Sequence, residues 1–112
     1  MAFFLPLKSP CLDETISIMD YQEFIQSLDQ SIPPDLSNPL LLALWYDAKG
    51  DWSKAHNIAQ DISGTMGSWM HAYLHRKEGD LSNAAYWYSR AARELPEYSL
   101  EMEWKELVKE IL

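Results

Sequence analysis

The feature that most constrains this chain is an internal repeat with an offset of 29 positions. Its members are Ala43, Gly50, Asp51, Ser53 and Ala55, which recur as Ala72, Gly79, Asp80, Ser82 and Ala84. Glycine readily adopts the left-handed turn that ends a helix, and aspartate accepts hydrogen bonds from the N–H groups that begin the next one. A small residue on each helix lets two backbones approach closely. The repeat therefore predicts two helical hairpins, with Ala43 facing Ala55 and Ala72 facing Ala84.

Capping and stop signals on either side of these hairpins predict further helices. Asp20 and Glu23 have the spacing of a capping box, and Pro33-Pro34 stops the helix that they begin. Ser99 begins a last helix that carries one apolar stripe. The prediction is a single all-α domain, residues 1–112, with about six helices. Its parts are an extended arm at 1–19, a helix at 20–31, hairpins at 38–62 and 68–95 with a loop between them, and a capping helix at 99–112.

Each unit also carries residues at the spacing of a known class of helical repeat. The second unit carries Ala72, Gly79, Ala84, Tyr88, Ala91 and Pro96, and the first carries Ala43, Tyr46, Gly50 and Ala55. Over residues 38–96 this pattern resembles the tetratricopeptide repeat (TPR) family. The resemblance implies a short right-handed array of antiparallel helical hairpins, TPR-like in architecture, that binds a protein or peptide and catalyses no reaction. The stretch from Trp69 to Asp80 also looks like one in a family of small proteins, a likeness that implies no activity.

The TPR resemblance also implies where a partner would bind. In that family the first helix of each unit lines a concave surface, which places Trp69, Tyr73, Arg76 and Lys77 of the second unit on it. We expect these four residues to contact a protein or peptide of acidic character, because aromatic and guanidinium side chains carry much of the binding energy at interfaces. The alternative is a solvated helix face in which Arg76 pairs with Asp80.

A second candidate surface lies on the last helix of the second hairpin. Three consecutive helical residues point in different directions, so Tyr86, Trp87 and Tyr88 cannot share one buried face. Tyr86, Arg90 and Arg93 follow each other at helical spacing, and guanidinium groups beside an aromatic ring suit a carboxylate or phosphate ligand. The alternative is that the capping helix covers one of the rings.

Three histidines form a third candidate site. His71 and His75 are four positions apart on a helix, which puts both imidazoles on one face at a distance suited to a metal ion. His56 could be a third ligand, because its helix is expected to pack against theirs. The sequence favours a structural interpretation, in which these histidines bond to the backbone, to Tyr46 or to an acid, so no cofactor is predicted. The alternative function is a small-ligand or metal-binding protein, which could be an enzyme.

Charge and composition limit the remaining function classes. Nine Lys and Arg against seventeen Asp and Glu give a formal net charge of −8, which argues against nucleic acid and anionic membranes as partners. Cys11 is the single cysteine, so no intramolecular disulfide or thiolate metal cluster is predicted, and a cytoplasmic location is favoured. Common hydrolase, metalloprotease and phosphate-loop motifs do not occur. Self-association through exposed rings, giving a homo-oligomer, is a further alternative.

Overall fold

The computed structural model describes residues 19–112, and every regular element in that part of the chain is an α-helix. The six helices are α1 (Tyr21–Ser27), α2 (Pro39–Ala48), α3 (Trp52–Ala59), α4 (Gly64–Glu78), α5 (Leu81–Arg90) and α6 (Leu100–Ile111). The all-α prediction is therefore confirmed. The predicted extended arm, residues 1–19, lies outside the described residues except for Met19, which packs against the core.

The two hairpin turns use the same backbone geometry. Gly50 and Gly79 have φ angles of 89° and 91°, in the left-handed region that glycine adopts without strain. The N–H that follows each glycine closes the turn: Asp51 donates to the Tyr46 carbonyl at 2.9 Å, and Asp80 donates to the His75 carbonyl at 3.0 Å. Each aspartate then accepts a hydrogen bond from an N–H in the first turn of the next helix. In both units, the Gly-Asp pair ends one helix and begins the next, as the repeat predicts.

The start of α4 differs from the prediction. Residues 63–67 do not form a loop, because α4 begins at Gly64, whose φ of 93° turns the chain into the helix. Gly67 makes this early start possible. A Cβ at this position would lie 2.2 Å from the Ile62 carbonyl oxygen, so the connection from α3 can approach the first turn only at a glycine. The second hairpin therefore begins four residues earlier than the predicted residue 68.

Two other helices end earlier than predicted. α5 stops at Arg90, before the predicted end of the second hairpin at residue 95, because the left-handed φ of 57° at Ala92 breaks the helical repeat. α1 stops at Ser27 instead of near residue 31. The Ser27 hydroxyl donates to the Phe24 carbonyl at 2.6 Å, and such side-chain bonds compete with continuation of a helix.

Small residues allow close packing within each hairpin. Ala43 of α2, Ala55 of α3, Ala72 of α4 and Ala84 of α5 are all fully buried. Each of these helices packs against the other member of its hairpin, and α6 packs against both α2 and α4. α6 therefore covers the side formed by α2 and α4, the first helices of the two hairpins.

A buried carboxylate fastens α6 to the second hairpin. Glu103 is fully buried and accepts hydrogen bonds from Trp69 Nε1 at 3.0 Å, the Tyr88 hydroxyl at 2.5 Å and Arg76 Nη1 at 2.8 Å. Arg76 also donates to the carbonyl of Tyr98, in the connection between α5 and α6. A buried charge is costly unless it is paired and hydrogen-bonded, and these contacts satisfy both oxygens of Glu103. The network therefore sets the position of α6 across α4 and α5.

Candidate metal and ligand sites

Three histidine rings meet where α3 of the first hairpin packs against α4 of the second. His71 and His75 lie one turn apart on α4, with ring centroids 4.8 Å apart. His56 comes from α3, and its Nε2 lies 2.9 Å from Nε2 of His71. One ring nitrogen of each histidine lies within 4.8 Å of the other two. The three candidate residues, hereafter the histidine cluster, are therefore within reach of a single ion.

Two tryptophans cover the histidine cluster. The ring of Trp52 stacks on His56 with a centroid distance of 4.8 Å and an interplanar angle of 14°. Trp87 stacks on His71 at 4.2 Å and 24°. These contacts restrict rotation of both imidazoles and shield them from water on one side.

Neither tryptophan is predicted from the sequence to join the cluster. Trp52 precedes His56 by four positions on α3, the spacing at which side chains of one helix meet, so a local signal for this contact exists. Trp87 is expected from the sequence to lie under α6 or to face outward. It packs on His71 of the neighbouring helix instead, and no local spacing indicates that contact.

A carboxylate orients the third histidine. Glu78 Oε2 lies 2.7 Å from Nδ1 of His75, and the two residues are three positions apart at the end of α4. This bond favours the tautomer with the proton on Nδ1, which leaves a lone pair on Nε2. The Asn83 side-chain nitrogen lies 3.4 Å from that Nε2. Carboxylates commonly fix metal-binding imidazoles in this way, so the contact with Glu78 is compatible with a metal ion at Nε2 of His75.

Burial favours the uncharged forms of His56 and His71 at neutral pH. The pKa of His71 is lowered to about 4, first by loss of solvation and then by the neighbouring rings of His56 and His75. The pKa of His56 is also lowered, mainly by burial and then by His75. In the His56–His71 contact, one neutral ring donates its N–H to the lone pair of the other. Neutral imidazole is the form that binds a metal ion, so these two rings need little proton release to bind one at neutral pH.

The positions of the nitrogens approach those that a tetrahedral ion requires. Histidine nitrogens bind zinc at about 2.0–2.1 Å, so two of them on one tetrahedral ion are about 3.3 Å apart. The separation of 2.9 Å between His56 and His71 is slightly shorter, and the other pairs lie within 4.8 Å. Three nitrogens leave one position of the ion for water or another ligand.

Most of the predicted partner surface is covered. Trp69 and Tyr73 are each 2% exposed. Arg76 forms an ion pair with Glu103 of α6 at 2.8 Å, and not with Asp80. The prediction that these three side chains form an exposed contact surface is wrong, because α6 packs on the face that the TPR resemblance leaves open.

A cleft of about 650 Å³ remains beside α6, and it contains two of the predicted residues. Tyr73 and Lys77 both line it, and both bond to the buried carboxylate of Asp47: the Tyr73 hydroxyl donates at 2.7 Å and Lys77 Nζ at 2.9 Å. Burial and then Asp47 raise the pKa of Tyr73, so its hydroxyl stays protonated. Trp104 and Lys105 of α6 also line the cleft. The first helices of the two units therefore do share a surface, but a narrower one than predicted.

The second candidate surface predicted from the sequence does not form, because its two arginines lie in different places. Arg90 lies over the rings of Tyr86 and Trp87 at 5.8 and 5.5 Å, and its Nη1 donates to the Tyr86 hydroxyl at 3.3 Å. Arg93 instead lies 3.4 Å from the centroid of the Trp69 ring. The prediction that Tyr86, Arg90 and Arg93 share one face is wrong, because α5 ends at Arg90 and the chain turns away before Arg93.

Comparison of the chain with protein-family models, curated proteins and solved structures gives no match. The role of the site is therefore inferred from its own geometry. None of the helices within residues 19–112 is both long enough and apolar enough to cross a lipid bilayer.

Proposed function

We propose that this chain binds a divalent transition-metal ion through His56, His71 and His75. The observation that carries the proposal is the convergence of three imidazole nitrogens, each within 4.8 Å of the other two. Three further features support it: the lowered pKa of two of the rings, the tryptophans that hold them, and the Glu78 carboxylate behind His75. Such surroundings fix the tautomer and the orientation of histidine ligands before the ion arrives.

The ligand atoms determine which ions fit. Imidazole nitrogen suits zinc, copper and nickel, whereas magnesium and calcium prefer oxygen ligands. Structural zinc sites generally use four protein ligands, while sites with three protein ligands keep one position for water or substrate. The proposed function is therefore reversible metal binding, with one coordination position available to a further ligand.

Calorimetric titration of tag-free, metal-free protein with zinc chloride tests this proposal. We expect one bound ion per chain, and we expect elemental analysis of the dialysed complex to give the same ratio. His71→Asn removes one ligand and should weaken binding about a hundredfold or more, because loss of even an outer-shell partner of a metal site can cost that much.

The matched control is Glu101→Gln. It removes an exposed carboxylate outside the cluster, and it should leave zinc affinity unchanged. If the wild-type chain and His71→Asn bind zinc equally well, the ion is held by the acidic surface and the proposed function is wrong.

The second candidate function is the binding of a short peptide in the cleft beside α6. It is favoured by one observation: residues of both units line the cleft, including Lys77, which the TPR resemblance assigns to partner binding. Lys105 also lines it and forms no ion pair among residues 19–112, so it can meet a carboxylate of an acidic peptide.

Trp104 provides the measurement for this second candidate, because it lines the same cleft. A peptide of six glutamates, added at constant ionic strength, should change the tryptophan fluorescence in a saturable way. Lys105→Gln should abolish that change, whereas Lys54→Gln, an exposed lysine on α3, should not. No saturation with the wild-type chain would exclude an acidic peptide as the ligand of the cleft.

A further inference from the structure

A second pocket opens beside the histidine cluster, at the start of α4. Its volume is about 220 Å³, which accommodates one small anionic group. His71 and Trp87 line it, so it adjoins the ring stack that covers the cluster. Ser68 and Arg90 line it as well.

The first turn of α4 has free hydrogen-bond donors and begins at Gly64, which lines this pocket. The helix has fifteen residues, and the side chain of its N-cap, Ser63, makes no capping hydrogen bond. The backbone N–H groups of residues 64–66 donate to no acceptor within the described part of the chain. Ser63 and Gly64 both line the pocket. A helix start carries partial positive charge and readily binds an anion.

A buried hydroxyl without a partner is an independent indication of a ligand. Ser68 is 8% exposed and lines the pocket, and its hydroxyl makes no hydrogen bond within residues 19–112. A buried polar group without a partner costs free energy. A ligand in the pocket would supply the missing acceptor.

Arg90 supplies a full positive charge. The rings of Tyr86 and Trp87 hold its guanidinium group, and its one side-chain bond among the described residues is to the neutral Tyr86 hydroxyl. No carboxylate of residues 19–112 forms an ion pair with it. Asp61 also lines the pocket and opposes an anion there, but its side chain is exposed to solvent, which screens its charge.

We propose that this pocket binds the oxyanion group, carboxylate or phosphate, of a small molecule through Arg90, Ser68 and the first-turn N–H groups of α4. An anion held there would lie against His71, next to the proposed position of the metal ion. The inference goes beyond metal binding and does not require it, because none of these donors belongs to the metal ligands.

Amide NMR titrations with sodium phosphate and, separately, sodium acetate test the pocket. Both are run with a chelator present and at an ionic strength held constant with sodium chloride. We expect saturable shifts at the amides of residues 64–66 with at least one of the two probes, and the tighter probe identifies the preferred oxyanion. Shifts that do not saturate, or that spread evenly over the surface, would indicate an adventitious ion only and overturn the proposal.

Two arginine variants give the matched comparison. Arg90→Gln should weaken binding of the preferred probe about tenfold, since charged hydrogen bonds are the strong contacts to an oxyanion. Arg93→Gln removes the same charge from a residue that stacks on Trp69, and it should have no effect. Equal losses in the two variants would reflect net charge alone and overturn the proposal.

Two further variants test the other contacts. Ser68→Ala should weaken binding, and Asp61→Asn should strengthen it by removal of the opposing charge. An unchanged affinity in both would remove these side chains from the site and overturn the assignment. Because the chelator excludes metal, a failure of the zinc titration leaves these results intact, and a failure of the pocket leaves the zinc stoichiometry intact.

Discussion

His71 is buried in its uncharged form, and this makes the fold sensitive to acid. Its pKa of about 4 lies below the ordinary value of 6.5, which the unfolded chain retains. Between these two values the unfolded chain binds more protons than the folded chain, so the free energy of unfolding rises with pH across the window. The stability that uncharged His71 contributes is lost as the pH falls from about 6.5 to about 4. We expect His71 to account for a loss of about 3 kcal/mol in the metal-free protein.

Urea denaturation of the wild-type chain and of His71→Gln, with a chelator present, measures this contribution. Carboxylates titrate in both proteins, so the difference between the two pH profiles isolates the histidine. The profile of His71→Gln should be flatter between about pH 4 and about pH 6.5. If the two profiles are parallel, the acid sensitivity comes from other groups.

At the scale of the helices, the early start of α4 depends on Gly67. Glycine inside a helix normally costs about 1 kcal/mol relative to alanine, so Gly67→Ala would stabilise an ordinary helix. Here the new methyl group would lie 2.2 Å from the Ile62 carbonyl oxygen, which is backbone and cannot rotate away. We therefore expect Gly67→Ala to destabilise the fold by about 2 kcal/mol in chemical denaturation.

The matched control is Gly64→Ala, three residues earlier. A Cβ at Gly64 would meet no atom within 4 Å, so only the positive φ of 93° opposes the substitution. Its expected cost is about 1 kcal/mol. If Gly67→Ala proves no more destabilising than Gly64→Ala, the close approach of Ile62 is not what lets α4 begin at Gly64.

Glu103 is one of the residues that hold α6 in place, and its buried carboxylate joins α6 to α4 and α5. Glu103→Gln keeps the size of the side chain but leaves the Arg76 guanidinium without its charge partner. We expect a loss of about 3 kcal/mol, because removal of one member of a buried ion pair exposes the cost of burying the other. Glu106→Gln should cost no more than about 1 kcal/mol, since Glu106 bonds to Tyr98 at an exposed position. Similar losses in the two variants would contradict this role of Glu103.

Glu103, compared with Asp51 and Asp80, shows which contacts of this protein can be predicted from its sequence and which cannot. Asp51 and Asp80 cap helices through N–H groups three residues away, so their role can be predicted from local spacing. Glu103 meets Arg76 and Trp69 across 27 and 34 positions. Its partners depend on where α6 packs, and no short-range pattern specifies that. The partner surface is mispredicted for the same reason.

The histidine cluster shows the same division between local and long-range information. His71 and His75 are a helical pair that spacing alone identifies, and His56 follows once α3 and α4 are expected to be neighbours. The hydrogen bond that His75 donates to Glu78 lies within α4 at a local spacing, whereas the stacking of Trp87 on His71 depends on the angle at which α4 and α5 meet. The proximity of the three histidines could thus be predicted from the sequence, but the ring that stacks on them from α5 could not.

At the scale of the whole molecule, the cluster connects the two hairpins. His56 belongs to the first hairpin, while His71 and His75 belong to the second. A metal ion bound by all three would therefore add a link between halves of the fold that already meet through side-chain packing and through the bonds of Tyr73 and Lys77 to Asp47. Because the unfolded chain does not hold the three nitrogens together, the ion binds the folded state preferentially and stabilises it by mass action.

Zinc should therefore raise the melting temperature of the chain in a concentration-dependent way. When the free ion is at 100 times its dissociation constant, the free energy of unfolding should increase by about 2.7 kcal/mol. Differential scanning calorimetry across a zinc series measures this shift, with magnesium chloride as the control, since magnesium prefers oxygen ligands. His56→Asn is the informative variant, because it leaves the α4 pair intact but removes the link between hairpins. If its melting temperature rises with zinc as much as that of the wild-type chain, the ion is bound within α4 alone and does not join the two hairpins.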